Sequence, residues 1–445
     1  MIKSSSFRLI IFLFIFNFGI ISVYSQNYQW GLTSCPTAVS RFDDLSFIND
    51  QRGWVIDFMG GLYKTEDGGN SWNTLTGPPS TVYRSVLFLD SLHGFIGLLG
   101  SLNPDSAVLY QTFNGGDTWA PVSNFPYPLG SYLQRGGICG MCKVEDSVIY
   151  ACGKFWGPSF VYRSGDYGQS WQRFDMGAQA FGLVDIYFWS RDSGIVVGSV
   201  DTSTNAIYAN AAIFRTTNGG FTWQQVYQSQ LPEEWCWKIS VPSSGVFYVA
   251  VEQYSPGSRY ILKSMDFGQT WTELNYTNYM ITTPPTNGIV SQGIGFRTVN
   301  EGWVAISSTN AISNSFYHTL DGGLSWSPQN VEFGINRFRF INDSTGYASG
   351  LHVFKLINTI QSLPEHQHSE MNISPVITSG QVTIRFSDAS EKLIRVLSAE
   401  GALVKTIILK GTEHLLDLSF CKAGAYFILA TSDKYYASEK FLLMK

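Results

Sequence analysis

The sequence predicts an all-β chain: a seven-bladed β-propeller closed by an N-terminal strand, followed by a small C-terminal β-sandwich. Three observations carry that expectation. Charged residues make up only 14% of the 445 positions, while aromatics reach 15% and glycine supplies 43; that composition favours strands and tight turns over helices. One short string recurs six times at near-constant spacing, which is the mark of a repeat architecture. Short alternating runs of apolar and polar residues fill the intervals between the copies.

At the N-terminus, Lys3 and Arg8 precede an apolar stretch from Leu9 to Phe16 that continues to Val23, with modest side chains at Val23-Tyr24-Ser25. Residues 1–25 are therefore expected to be a cleaved signal peptide. A membrane anchor fits less well, because the run is shorter than about 20 residues and contains Asn17. No second stretch of spanning length follows, so the mature chain is expected to lack a transmembrane segment. Lys and Arg total 29 against 34 Asp and Glu, a net charge of −5, with no basic run. Bulk electrostatics thus argue against nucleic acid as a partner.

Residues 26–356 contain the repeat. Its copies are Thr65–Trp72 (TEDGGNSW), Thr112–Trp119 (TFNGGDTW), Ser164–Trp171 (SGDYGQSW), Thr216–Trp223 (TTNGGFTW), Ser264–Trp271 (SMDFGQTW) and Thr319–Trp326 (TLDGGLSW). The steps between tryptophans are 47, 52, 52, 48 and 55 residues. Each position has a mechanical reason. The acid or amide at the third place (Asp67, Asn114, Asp166, Asn218, Asp266, Asp321) accepts bonds from nearby backbone N–H groups. Glycine at the fifth place supplies the positive φ of a tight hairpin. The closing tryptophan (Trp72, Trp119, Trp171, Trp223, Trp271, Trp326) starts the returning strand and is expected to bury its ring against a neighbouring unit. Each turn offers few oxygen ligands and no closing Glu, so no metal and no cofactor is expected.

Four short strands per interval make one propeller blade. In the first, Asp44–Ile48 and Trp54–Phe58 precede the box, and Trp72–Thr76 follows it. After the sixth box three more strands appear, at 336–341, 346–350 and 351–355, without a box. Tyr28–Thr33 matches the fourth-strand pattern, again without a box. Together these complete a seventh blade and remove the edges that invite aggregation. The string resembles the Asp-box, or bacterial neuraminidase repeat, of β-propellers. That resemblance implies turns on the blade edges, away from the substrate face. Compact blades with Gly-Trp after the first hairpin turn also resemble the seven-bladed assembly-factor family known from photosystem II biogenesis.

A polar linker over 357–371 precedes the tail, 372–445. There the Ser374-Pro375 start, the Glu400-Gly401 turn, Leu415-Leu-Asp-Leu-Ser419, Gly424-Ala-Tyr-Phe427 and the terminal Lys440-Phe441 resemble the C-terminal sorting domain of the type IX secretion system of Bacteroidetes. The resemblance implies the type IX machinery as a partner through 372–445. It also implies transit through the periplasm to a secreted or outer-surface location.

Candidate function lies in the uneven loops leading into the inner strands. Binding residues are expected at Arg84, Arg135, Glu233, Glu234 and Trp235, beside a central channel. Aromatic tips at Trp156, Tyr208 and Tyr254 belong to the other loop set of that face. The ligand class these suggest is a protein or a glycan. The alternative is a polysaccharide-active hydrolase or lyase using Glu233, Glu234 and Asp185. A sialidase is disfavoured, because Arg41-Phe42-Asp43 lacks the expected Arg-Ile-Pro motif. Among six cysteines, Cys139 and Cys152 can face each other across a hairpin as a disulfide, with buried thiols as the default.

Overall fold

The computed structural model describes residues 28–79, 82–99, 107–128, 137–154, 157–200, 209–253, 260–275, 289–308, 315–329, 334–358, 371–399, 403–432 and 435–445. The expected leader, Arg135, Trp156, Tyr208, Tyr254 and residues 359–370 of the linker lie outside them. The chain forms two compact units, one spanning Tyr28–Ile357 and the other holding the tail from Asn358.

The larger unit contains seven four-stranded antiparallel sheets. Their innermost strands are Phe42–Phe47, Tyr83–Phe88, Gly140–Val144, Gly182–Phe188, Glu234–Ser243, Ile289–Phe296 and Ile335–Asn342. Each contacts the next in order, and the first contacts the seventh. The seventh sheet takes Tyr28–Leu32 as its outermost strand, beside Val353–Asn358. Thr33 and Ala38 extend that junction by donating backbone bonds to Val353 and Leu351.

Aromatic pairs weld the blades together. Phe47 stacks on Tyr347, Trp54 on Phe88, Tyr150 on Phe188 and Tyr248 on Phe296, with ring centroids 3.4–3.7 Å apart. Each pair joins the second strand of one blade to the first strand of the next, so it buries flat apolar surface that neither sheet covers alone. The Phe ring also lies over a glycine in its own hairpin. A Cβ on Gly302 would stand 2.4 Å from Phe296, and one on Gly194 2.4 Å from Phe188.

The box turns are closed locally and repeat the same bonds. In the first, Gly69 N donates to Thr65 Oγ1 (2.8 Å), Ser71 N donates to Asp67 Oδ1 (2.8 Å) and Ser71 Oγ donates to Asp67 Oδ2 (2.5 Å). Where Asn replaces Asp the geometry persists with one bond reversed: Asn114 Nδ2 donates to Thr118 Oγ1 at 2.9 Å. Positive φ is needed at the fourth place as well as the fifth, and Tyr167 (64°) and Phe267 (59°) adopt it without being glycine. The tryptophans bury less than expected. Trp223 and Trp326 are buried, but Trp72, Trp119, Trp171 and Trp271 are half-buried, because each ring caps a short outer strand and keeps one side toward solvent. In four boxes the ring meets a Phe of its own blade edge-on, as Trp119 meets Phe88 at 84°.

The tail packs a three-stranded sheet and a five-stranded sheet around one core that includes Val382, Ile384, Ile394, Val396 and Ile428. All six cysteines are free thiols, so Cys139 and Cys152 form no disulfide. Burial pushes Cys35 and Cys142 up to about 12 and Cys152 and Cys236 well above the usual thiol range.

Candidate functional site

The innermost strands break their own alternation. Register shifts fall between Phe42 and Asp44, Tyr83 and Ser85, Leu183 and Asp185, Cys236 and Lys238, Val290 and Gly293, and Ile335 and Arg337. Each is a β-bulge that sets two residues opposite one and re-aims a side chain. Repeated around the ring, the bulges bring polar residues together on its axis.

The result is a polar plug. Asp43 accepts from Arg41 Nε at 2.6 Å and from Arg84. The Arg84 guanidinium lies 5.3 Å from the Trp237 ring, joining blade 2 to blade 5. Arg337 of blade 7 donates to Asp185 of blade 4 at 2.7 Å and stands 3.0 Å from Asp44, which also takes Arg339 at 3.1 Å. Gln292 donates to Glu252 at 3.0 Å and lies 3.4 Å from Arg41. These contacts cross the ring as well as following it.

The electrostatics follow from burial and these partners. Burial pushes the Asp43 carboxyl up, but Arg84, Arg41 and Lys238 outweigh it and hold the group below its ordinary range. Asp185 is lowered in the same way by Arg337, Lys238 and Arg339. At Glu252 burial outweighs the Gln292 bond and the pull of Arg41, Arg84 and Lys238, and lifts the carboxyl to about 7. Lys238 is driven well below the usual lysine range by burial and by Arg337 and Arg84.

A second feature lies between blades 4 and 5. A cleft of about 550 Å³ is lined by Asn210, Gln228, Ser229, Gln230 and Pro232. Asn210 Nδ2 donates to Ser229 O and Leu231 O, both at 3.0 Å, which holds the loop leading into blade 5. In that loop Glu233 adopts φ 67°, the left-handed region rarely entered by non-glycine residues. Glu234 is buried and accepts from Tyr260 at 2.6 Å. Tyr260 lies 3.1 Å from Tyr227, which donates to Glu273 at 2.8 Å. Burial raises the Glu234 carboxyl above its ordinary value. Trp235 is buried, its ring edge-on to Phe181 at 5.9 Å.

Glu233 and Glu234 follow Pro232 of the cleft wall in sequence without lining the cleft themselves, and the Glu234 carboxylate is engaged by Tyr260. The structure places Arg84 in the plug, 1% exposed and engaged by Asp43 and Trp237. Asp185 is also in the plug, bound to Arg337 and to the Ile239 amide. Arg135 lies outside the described residues. Sequence reasoning missed Asp44, Lys238, Arg337 and Asn210. The available signal was a broken alternation such as Phe42-Asp-Asp-Leu45 in an otherwise apolar strand. Among the described residues no His, Cys, Asp and Glu cluster is arranged to hold a metal ion.

Comparison with known proteins divides along the same lines as the fold. Residues 372–444 match the secretion system C-terminal sorting domain, and the tail of this chain is such a domain, implying export to a secreted or outer-surface location. Over 201 residues the chain is 26% identical to the chloroplastic photosystem II stability/assembly factor HCF136 of Oryza sativa subsp. japonica; the match covers 43% of each protein, so the chain spans less than half of that relative. Among solved structures, YCF48 bound to D1 peptide aligns over 75% of this chain and 97% of its own, at 20% identity and a TM-score of 0.50. YCF48 from Cyanidioschyzon merolae aligns over 74% and 98%, at 14% identity and a TM-score of 0.51. A streptogramin B lyase aligns over 74% and 97%, at 12% identity and a TM-score of 0.50. These likenesses establish the propeller fold. Because they include an assembly factor and a lyase, fold alone assigns no activity.

Proposed function

We propose that this protein is a non-catalytic recognition propeller, directed to the export pathway by residues 1–25 and carried to the outer surface or medium by the type IX machinery acting on its tail. Its ligand is a protein or glycan taken at the face where loops lead into the inner strands. The observation that carries this reading is the amide-lined cleft beside Glu233 and Glu234, in a chain that also bears a sorting domain. Side-chain amides and a serine suit hydroxyl groups or peptide bonds, since they donate and accept at once. The D1 peptide complex of YCF48 offers a precedent for a peptide ligand on this fold. The box acids, by contrast, are engaged in their own turns.

The test is binding of the leaderless chain to panels of labelled glycans and peptides, with turnover scored separately. Binding weakened by Gln228→Ala, with an unchanged melting temperature, supports the cleft. A buried Glu234 with a raised pKa is the one feature that favours a polysaccharide-active enzyme instead. Turnover that disappears in Glu234→Gln would establish that alternative. Removal of residues 370–445 should leave the propeller in the periplasm, and its normal appearance at the surface would overturn the export assignment.

A further inference from the structure

Four side chains cross the seam between blades 4 and 5 in one continuous chain of polar contacts. Tyr227 stands on the outermost strand of blade 4, and Glu234, Tyr260 and Glu273 come from the innermost, third and outermost strands of blade 5. The two ends are carboxyls and the two middle members are phenols. Tyr260 Oη lies 2.6 Å from Glu234 Oε2, the two phenol oxygens are 3.1 Å apart, and Tyr227 Oη lies 2.8 Å from Glu273 Oε1.

Three contacts need three protons, and two phenols supply only two. With both carboxyls ionised, each phenol donates to its own carboxylate, and the 3.1 Å contact sets lone pair against lone pair. A third proton on Glu234 removes that conflict. The carboxyl then donates to Tyr260, Tyr260 donates to Tyr227, and Tyr227 still donates to Glu273, leaving one negative charge where there were two. Burial decides which end takes the proton. Glu234 is 1% exposed whereas Glu273 is exposed, and an ionised carboxyl costs far more inside a protein than at its surface.

The neighbouring groups support that assignment. Burial and the charge of Glu273 push the Glu234 carboxyl up, and the bonds from Tyr260 and Ser229 pull it back without prevailing. Cys236, on the same strand, is a buried neutral thiol, and burial with the adjacent acids pushes the phenols of Tyr227 and Tyr260 up, so both keep their protons. Glu233 is half-buried in the loop before Glu234. Asp185, Lys238 and Glu252, on strands packed nearby, belong to the axial plug. The chain also reaches the cleft. Tyr227 immediately precedes Gln228, and Ser229, which bonds to Glu234 and accepts from the Ala211 amide at 2.9 Å, lines the cleft with it.

We propose that Glu234, Tyr260, Tyr227 and Glu273 form a proton-operated latch: one proton held along this chain closes the seam and fixes the Gln228–Ser229 wall of the cleft, and its loss at higher pH releases that wall. The latch acts on the wall itself and does not depend on what the cleft binds.

The test follows amide hydrogen exchange of the full chain by mass spectrometry, with variants compared at each pH so that the chemical exchange rate cancels. Glu234→Gln is the closed latch made permanent, because its amide donates to Tyr260 with no proton to lose. Peptides covering residues 224–232 should exchange alike in the wild type and Glu234→Gln at acid pH, and faster in the wild type at alkaline pH. In Tyr227→Phe the third proton is no longer needed. With Glu252→Gln as the common background, so that the other raised carboxyl is silent, infrared titration should show the protonated-carboxyl band vanishing at lower pH once Tyr227→Phe is added. That shift carries the proposal if Glu234→Gln does not fold. An unchanged midpoint shows that burial alone holds the proton and overturns the latch, as does equal exchange of the wild type and Glu234→Gln at every pH.

Discussion

Replacing Asp266 separates the bonding role of a box acid from its charge. Its carboxylate accepts from Ser264 Oγ (2.8 Å), from the amides of Gln269 and Thr270 (both 3.0 Å) and from Thr270 Oγ1 (2.6 Å). Asp266→Ala removes all four bonds in an exposed turn where water replaces part of them, so the cost should be about 0.5–2 kcal/mol, as for a lost cap. Asp266→Asn should cost much less. Asn114 already does the same work, accepting from Thr112 Oγ1 at 2.9 Å and Thr118 N at 3.0 Å. Thermal melts at neutral pH should lower Tm by about 1–3 °C per kcal/mol for a chain of this size. Acid adds a second readout. Burial pushes the Asp266 carboxyl up, but the bonds from Thr270, Ser264 and Gln269 outweigh it and hold it at about 2. A depressed carboxyl stabilises the fold above its unfolded value, near 4, and that contribution is lost as pH falls toward 2. The wild type should therefore lose its margin over Asp266→Asn between about pH 4 and pH 2. If Asp266→Asn falls as far as Asp266→Ala at neutral pH, the turn depends on charge and this reasoning fails. If either variant keeps its Tm yet loses a ligand, the boxes are the binding face.

Other perturbations probe the blade contacts and the axis. Trp54→Ala removes a fully buried ring stacked 3.5 Å from Phe88 and bonded to Gly115 O at 2.9 Å; it should cost about 3–5 kcal/mol, and half-buried Trp171→Ala clearly less, as read by chemical denaturation. Gly302→Ala forces a methyl to within 2.4 Å of Phe296 and should cost about 1–3 kcal/mol, with a melting temperature as high as the wild type's ruling out the close seat. Glu252 is lifted to about 7 by burial, so above its unfolded value it opposes folding increasingly until about pH 7; Glu252→Gln should be the more stable protein at pH 8 by about 3 kcal/mol or less, and no difference there would refute the assignment. Arg337→Met leaves Asp44 and Asp185 short of a partner and should cost about 3–5 kcal/mol. Adding Asp185→Asn to it should recover part of that loss in a double-mutant cycle.

How much of this was legible in the sequence depends on the range of the interactions. The boxes were legible because their bonds join residues two to four positions apart, such as Thr65 to Asp67 and Asp67 to Ser71. The composite seventh blade was legible because Tyr28–Leu32 supplies the fourth strand that Val353–Asn358 lacks. The plug was not. Asp185 reads as a free carboxylate until Arg337, 152 residues away, is placed on it. Lys238 reads as an exposed polar position until the bulge at Cys236–Lys238 turns it inward. The blade 4–5 cleft was half legible: the loop before Glu234 stood out by its length and its glutamates, but Asn210, which holds that loop, comes from the preceding blade.

The two sets of acids thus do opposite kinds of work. Each box closes its own hairpin with its own neighbours, so six near-copies tolerate Asp or Asn and vary independently. The axial acids do not recur in every blade: Asp44 and Asp185 share the position just after the bulge in blades 1 and 4, and their arginine partner Arg337 lies in another sheet. Asp43 ties blade 1 to blade 2, Asp44 ties blade 1 to blade 7, and Asp185 ties blade 4 to blade 7. A ring built only from neighbour contacts would let one blade fray without much consequence for those opposite, as stacked repeats do. The Arg84–Trp237 and Arg337–Asp185 contacts remove that independence, since opening blade 2 or blade 7 uncovers a charge buried against blade 5 or blade 4. Cross-axis pairs of this kind make the seven sheets one cooperative unit. They also fix the inner-strand ends from which the loops of the proposed binding face project.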